Sequence, residues 1–253
     1  MKQVSVGRFL WYLFAVPHCA ACRKLLSPQD ALGRYAGCDV LCPECRANWE
    51  NEKLALCSVC GEAHIDCRCM PEVLRQAGAE GMIHLGEYRA DSAIGRTVLR
   101  LKDTALHRAA NFAAAQLAPA FRRLCADALR RPEQVIVTYL PCRIDARRKC
   151  GHDQAELIAR ALAHHLGAKC MPMLQRTGGA APQKSLSGSA RKENAQKAFM
   201  LAHHAEPAGK TVILVDDVIT TGSTMEAGVR ILREAGAAAV FCAVLGVTAE
   251  KKR

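Results

Sequence analysis

Apolar residues along this chain fall into two rhythms, and the change from one to the other marks its elements. Short continuous runs at Val135-Ile-Val-Thr-Tyr-Leu140, Val212-Ile-Leu-Val215 and Ala239 to Leu245 have the length and β-branching of strands buried on both faces. Elsewhere apolar positions recur three or four residues apart, the spacing of one helix face. Ile94, Val98 and Leu101 form one such set, and Phe112, Leu117, Phe121 and Leu124 another. Leu157, Ile158, Ala161, Leu162 and Leu166 form a third, and Met225, Val229 and Leu232 a fourth. Pro141 closes the first strand, and Pro119 is expected to divide the helix over 106–130 in two. Met82 to Tyr88 alternates loosely and reads as an entering strand, while Pro71 to Ala79 reads as a linker with a turn of helix. Strands alternating with helices predict an α/β fold on a mostly parallel sheet. Residues 169–200 break the rhythm, being long, polar and nearly aperiodic, with Arg176-Thr177-Gly178-Gly179, Gln183, Leu186, Arg191, Asn194 and Ala198-Phe199 along them. Unstructured stretches of that length inside a compact domain are usually functional, so this one is a candidate mobile flap.

The first 70 residues follow neither rhythm; cysteines organise them. Nine of the fourteen cysteines lie there. Cys19-x2-Cys22 and Cys42-x2-Cys45 are 19 residues apart, the pattern of a ribbon in which two tight turns point four thiolates at one Zn²⁺. Cys57-x2-Cys60-Gly61 and Cys67-x-Cys69 form a second set, its last spacing shorter than usual. Cys38 or His64 could replace a ligand in either set, so the reading is one or two structural zinc ions. A segment this short buries too little apolar surface to hold itself without such a staple. The expected division is therefore a zinc ribbon over 1–75 and an α/β domain over 76–253.

Charge is placed unevenly. The chain carries a formal +11, of which residues 1–75 account for about +1 and the larger part for about +10. A basic α/β domain suits phosphorylated substrates and permits single-stranded nucleic acid. No apolar run approaches the ~20 residues that span a bilayer. Phe9 to Val16 is apolar behind Lys2 and Arg8, but no small-residue cleavage site follows it, and it reads as an element packed on the rest. A cytoplasmic location is expected.

The chemistry concentrates in Val212-Ile-Leu-Val-Asp216-Asp217-Val-Ile-Thr220-Thr221-Gly222-Ser223-Thr224. A buried strand, two carboxylates, a hydroxyl-rich loop and a helix follow one another in that order. Loop N–H groups at a helix N-terminus hold phosphate, because unpaired donors and the positive dipole end coincide there. Carboxylates beside such a cradle suit vicinal ribose hydroxyls or a phosphate-bound Mg²⁺. The alternative is an ordinary strand-to-helix turn with Ser223 or Thr224 as helix N-cap.

The motif VDDVITTGST resembles the loop of type I phosphoribosyltransferases that binds 5-phosphoribosyl-1-pyrophosphate (PRPP). The resemblance implies that Asp216 and Asp217 contact the ribose and that Thr220, Thr221, Gly222, Ser223 and Thr224 wrap the 5-phosphate. Leu101-Lys102 matches a Leu-Lys pair often seen in that family; Lys102 either meets a pyrophosphate oxygen or is a solvated helix-end lysine. Arg143, Arg147, Arg148 and Lys149 sit after a strand end, where they either meet phosphate or form a solvated basic loop. Cysteine pairs ahead of the motif, with Gln-x2-Leu, Arg-x2-Asn and Ala-Phe between, are similar to the ComF and GntX family of competence-associated phosphoribosyltransferase-like proteins. That resemblance covers nearly the whole chain. It implies Mg²⁺ with PRPP, and a link to natural transformation through single-stranded DNA or competence-machinery proteins. One departure stands out: Cys150-Gly151-His152-Asp153-Gln154 replaces the family's Arg-Gly-Phe-Asn-Gln. His152 and Asp153 are either acid–base groups or a helix N-cap with a neighbouring surface histidine.

Overall fold

The computed structural model describes residues 17–27, 40–103, 106–177 and 198–248. Helices are α1 (Pro43–Leu54), α2 (Glu72–Gln76), α3 (Ala93–Asp103), α4 (His107–Leu124), α5 (Ile144–Cys150), α6 (Gln154–Leu166) and α7 (Ser223–Glu234). A parallel sheet in the order β1-β9-β7-β3-β4 forms the centre: β1 (Gly81–Ile83), β9 (Ala239–Ala243), β7 (Thr211–Val215), β3 (Val135–Tyr139) and β4 (Lys169–Cys170). The expected α/β fold of the type I phosphoribosyltransferase kind is therefore present.

Helices cover both faces of the sheet, which is why its strands read as continuous apolar runs. Val135, Val137, Ile213, Val215 and Phe241 face one core with α3, α4 and α6. Ile136, Val212, Leu214, Val240 and Cys242 face the other with α2 and α7. The cysteine-rich segment joins the first core through Cys19, Leu26, Leu41, Cys45 and Trp49. Trp49 is fully buried, its ring 5.1 Å from Phe112 of α4.

One irregularity shapes the site. β1, β7 and β9 all stop at the same level, where Ile83, Ala243 and Val215 are in register. Each skips two residues and resumes, as β2 (Gly86–Glu87), β8 (Val218–Ile219) and β10 (Gly246–Val247), in a second parallel sheet of order β2-β10-β8. In β7 the two skipped residues are Asp216 and Asp217. A regular strand would send consecutive side chains to opposite faces, and the break removes that constraint.

Three expectations are corrected. Pro119 does not divide the 106–130 helix, since α4 runs through it to Leu124. The basic stretch after β3 is a short helix rather than a loop, with Arg147, Arg148 and Lys149 in the last turn of α5. Residues 169–200 are not structureless throughout: β4 joins the sheet, and β5 (Leu174–Arg176) pairs antiparallel with β6 (Phe199–Leu201). The Gln183, Leu186, Arg191 and Asn194 positions lie outside the described residues, as do Cys38 and the Phe9 to Val16 run. Among the described residues no helix is long and apolar enough to cross a membrane.

Candidate functional site

Asp217 is buried, yet its carboxylate is fully engaged. Oδ1 accepts the Val218 N–H at 2.7 Å, and Oδ2 accepts the Gln154 side-chain amide at 3.3 Å. Lys102, at the end of α3, places Nζ 3.0 Å from the same Oδ2. Of the two readings for Lys102, the structure has it part-buried in a pair with Asp217. Burial opposes its charge, but the Asp217 carboxylate outweighs that and raises its pKa. Gln154 joins the site from the N-terminus of α6, a role visible in the sequence only as the last residue of the departed motif.

Asp216 is half-buried beside it, and its Oδ1 accepts the Asp217 N–H at 2.8 Å. Burial first, and then repulsion from Asp217, hold its carboxyl well above the usual range. A pKa raised by folding means the ionised form is stabler unfolded. The resulting cost is absent below the ordinary value of about 3.9 and grows as pH rises toward the folded pKa. Asp216→Asn is therefore expected to raise the melting temperature of the ligand-free chain by a few degrees at pH 7, and by less at pH 4. Calorimetric scans at the two pH values check this.

The loop turns at Gly222, which has φ +81° and serves as N-cap of α7. The N-cap residue has no side chain to offer, so the ordinary N-cap role for Ser223 or Thr224 is not what the fold uses; a long 3.5 Å contact from the Ser223 N–H to Thr221 Oγ1 stands in its place. Thr221 Oγ1 also lies 3.1 Å from Ser223 Oγ. Thr220 and Thr221 are exposed, Ser223 and Thr224 half-buried, so hydroxyls and first-turn amides gather where a helix attracts anions. A Cβ on Gly222 would lie 3.0 Å from Val73 Cγ2. Gly222→Ala should cost about 1–2 kcal/mol, since its left-handed backbone disfavours any other L residue, as denaturant titration would show.

The departed motif resolves toward structure. Asp153 is the N-cap of α6, accepting the N–H groups of Ala155 at 3.0 Å and Glu156 at 3.3 Å, and its Oδ2 takes the Cys142 N–H at 2.7 Å. His152 lies between the Cys150 carbonyl at 2.8 Å and the Leu101 carbonyl at 2.7 Å, so it ties the end of α3 to this loop. Neither is placed as an acid–base group.

The cysteines assemble into the two sets read from the sequence. Cys19, Cys22, Cys42 and Cys45 converge, as do Cys57, Cys60, Cys67 and Cys69, with sulfurs in each set within 4.8 Å of one another. His64 joins neither. All eight are free thiols. Cys22 and Cys42 sulfurs are 3.6 Å apart, and those of Cys60 and Cys67 3.5 Å. Both fit an edge of a zinc–thiolate tetrahedron, about 3.8 Å for Zn–S bonds of ~2.3 Å. Backbone amides support the thiolates: Val59 N–H points at Cys57 Sγ at 3.4 Å, and Cys69 N–H at Cys67 Sγ at 3.3 Å. For Cys57 burial opposes ionisation, but the amides of Cys60 and Val59 outweigh it and bring its pKa down to about 7. Both sets could hold a metal ion.

Residues 154–252 match the phosphoribosyl transferase domain family. The chain is 29% identical to the DNA utilization protein YhgH of Salmonella typhimurium over 226 residues, which is 88% of this chain and 93% of that protein. It is 33% identical to the adenine phosphoribosyltransferase of Cereibacter sphaeroides over 87 residues, 34% of this chain and 48% of that enzyme. Among solved structures, TT1426 from Thermus thermophilus aligns with a TM-score of 0.34 and 19% identity over 55% of this chain and 81% of that one. Fold, domain match and loop together define a phosphoribosyltransferase-like protein. Its cysteine sets and its nearly full-length likeness to YhgH fit the ComF and GntX resemblance read from the sequence.

Proposed function

We propose that this chain binds PRPP at the loop from Asp216 to Thr224 and transfers its phosphoribosyl group to an acceptor. The observation that carries the reading is the break in β7. It sets two carboxylates five residues ahead of the N-terminus of α7, so ribose and 5-phosphate would meet complementary groups a few residues apart. Thr220, Thr221, Gly222, Ser223 and Thr224 would hold the phosphate through N–H and O–H donors. Asp216 and Asp217 would accept from the ribose hydroxyls and orient the ring. In the transfer, pyrophosphate leaves C1 with the bonding pair, and the acceptor, having lost its proton, bonds to C1. Lys102, now neutralising Asp217, is close enough to the site to meet pyrophosphate charge once ribose occupies the carboxylates. Mg²⁺ bound with PRPP would supply further positive charge for the leaving group, and the acidic pair fits such an ion's preference for oxygen ligands.

Zinc suits both cysteine sets, because four thiolates close the coordination sphere and leave a structural ion. Residues 1–75 would then be a zinc module ahead of a transferase-like domain over 76–253. Likeness to a DNA utilization protein supports a role in natural transformation, in the cytoplasm, with competence-machinery proteins as partners. A second reading makes PRPP a regulator and single-stranded DNA the cargo. Its support is the exposed basic run Arg147, Arg148 and Lys149, which follows the C-terminal end of β3 as the loop follows that of its parallel neighbour β7. Aromatic residues are only 5% of the chain, few for base-stacking platforms.

The test is pyrophosphate release from Mg²⁺-PRPP by zinc-loaded protein, with a panel of nucleobases and with single-stranded DNA, beside Asp217→Ala. Release that requires one acceptor and disappears in the variant establishes a transferase. Mg²⁺-dependent binding without release favours the regulatory reading. Neither binding nor release by the wild type rejects the site.

A further inference from the structure

We propose that the cysteine module is a working part of the ribose-phosphate site, and that Glu52 and Arg96 are positioning residues acting through Lys102. The proposal rests on the PRPP reading of that site.

The link is α3, which is held at its start by the module and delivers Lys102 at its end. Glu52, on α1, reaches the N-terminus of α3: Oε1 accepts the Ala93 N–H at 2.6 Å and Oε2 the Ile94 N–H at 2.9 Å. A carboxylate gripping two adjacent first-turn amides is a charge-assisted cap, and it lies at the positive end of the helix dipole. The cap is supplied across 41 residues of sequence, so it joins two units that the chain alone would leave separate. Arg96, in the first turn of the same helix, places Nη2 3.9 Å from Sγ of Cys45, a thiol of the first cysteine set.

The helix has little room to shift. A Cβ on Gly86 would lie 2.9 Å from Ile94 Cδ1 and 3.3 Å from the Glu52 carbonyl oxygen, and one on Gly95 would collide with the Arg89 carbonyl at 1.8 Å. Ile94, Val98 and Leu101 are fully buried along its length. At the far end His152 holds the Leu101 carbonyl at 2.7 Å, and Lys102 meets Asp217 at 3.0 Å. Nine residues of helix, about 14 Å, separate the Glu52 cap from Lys102. A helix fixed at both ends transmits a displacement rather than absorbing it, and a shift of about 1 Å at a binding group matters for affinity.

The module touches the other half of the site as well. Pro71 and Val73, just after Cys69, pack where a Cβ of Gly222 would be. The helix that carries Lys102 and the phosphate loop are thus both set against it.

The experiment is a double-mutant cycle on the full, zinc-loaded chain, reading Mg²⁺-PRPP affinity by calorimetry with zinc content and melting temperature alongside. Glu52→Ala is expected to weaken binding about tenfold with zinc content unchanged, and Lys102→Met by at least as much. The double variant is expected to bind no worse than Lys102→Met alone, because Glu52 acts through Lys102. Glu52→Gln, which keeps one acceptor, should fall between wild type and Glu52→Ala, and it serves with Arg96→Met if Glu52→Ala does not fold. Losses that multiply in the double variant, or an affinity within twofold of wild type in a folded Glu52→Ala, overturn the proposal and leave the PRPP reading standing. A folded, zinc-loaded wild type that does not bind PRPP removes both.

Discussion

Asp217→Asn is expected to leave the chain folded and to weaken Mg²⁺-dependent PRPP binding by about a hundredfold or more, close to 3 kcal/mol. Two effects add. The substitution removes the acceptor that ribose would use, and it dismantles a local balance of charge. Asp217 Oδ2 takes hydrogen bonds from both Lys102 and Gln154, so an amide nitrogen at that position would face two donors. With Oδ2 turned into the amide oxygen, Val218 N–H would lose its 2.7 Å partner instead. Either way a part-buried ammonium keeps no counter-charge from Asp217, and breaking one side of such a pair costs a few kcal/mol when burial is substantial. Lys102 is about 42% exposed, which lowers that figure through solvent screening. The fold should therefore survive while the affinity does not. Titration of PRPP into the variant in Mg²⁺ buffer, with a melting scan beside it, separates the two effects.

Cys45→Ser is expected to release one zinc and to destabilise more than the cysteine segment. Structural zinc contributes about 10–16 kcal/mol of apparent binding free energy in small zinc modules. Whole domains are stable by about 5–15 kcal/mol, so no packing in the module can replace a lost ion. Cys45 is almost fully buried and shares a core with Trp49, which packs on Phe112 of α4. Freeing Trp49 alone would resemble a buried Trp→Ala change of about 3–5 kcal/mol. A melting temperature lower by about 10 °C or more is expected, with metal analysis reporting one zinc in place of two. Cys60→Ser makes the contrasting case. Cys60 is exposed, its neighbours Leu56 and Val59 are exposed, and its set lies away from that shared core. It should also lose one zinc, with melting of the sheet changed by only a few degrees. Equal destabilisation by both variants would mean the two sets are not distinguished by their packing.

Strands, helices and both cysteine sets were readable because each rests on a local rule. Buried parallel strands must be apolar throughout, helix faces must repeat every three to four residues, and CxxC turns must space their thiolates closely. Pro119 misled because surrounding packing outweighs one proline: Phe112, Leu117 and Phe121 all bury on the same face, and α4 continues past it. The basic run after β3 has the pattern of a loop because Pro141 stops the strand. The five residues from Arg147 to Gly151 instead close a helix whose C-terminal glycine has φ +75°.

The candidate site divides in the same way. Asp216, Asp217 and the hydroxyl loop stand together in sequence, so their shared chemistry is legible without a structure. Lys102, Gln154 and Glu52 are 115, 63 and 165 positions from Asp217; the Leu101-Lys102 pair and the end of the Cys150–Gln154 motif mark the first two, and nothing in the local pattern marks Glu52. Local pattern is enough to give the alternation of strand and helix, the two cysteine sets and the order carboxylate, hydroxyl, glycine, helix. It took the folded molecule to break three strands at one level, to bring Lys102 and Gln154 onto one carboxylate oxygen, and to cap a helix with Glu52 from 41 residues away. The reason is physical: a hydrophobic period or a turn spacing is set by bonds a few residues long, whereas a buried charge finds its partner only after the sheet has brought distant segments within about 3 Å.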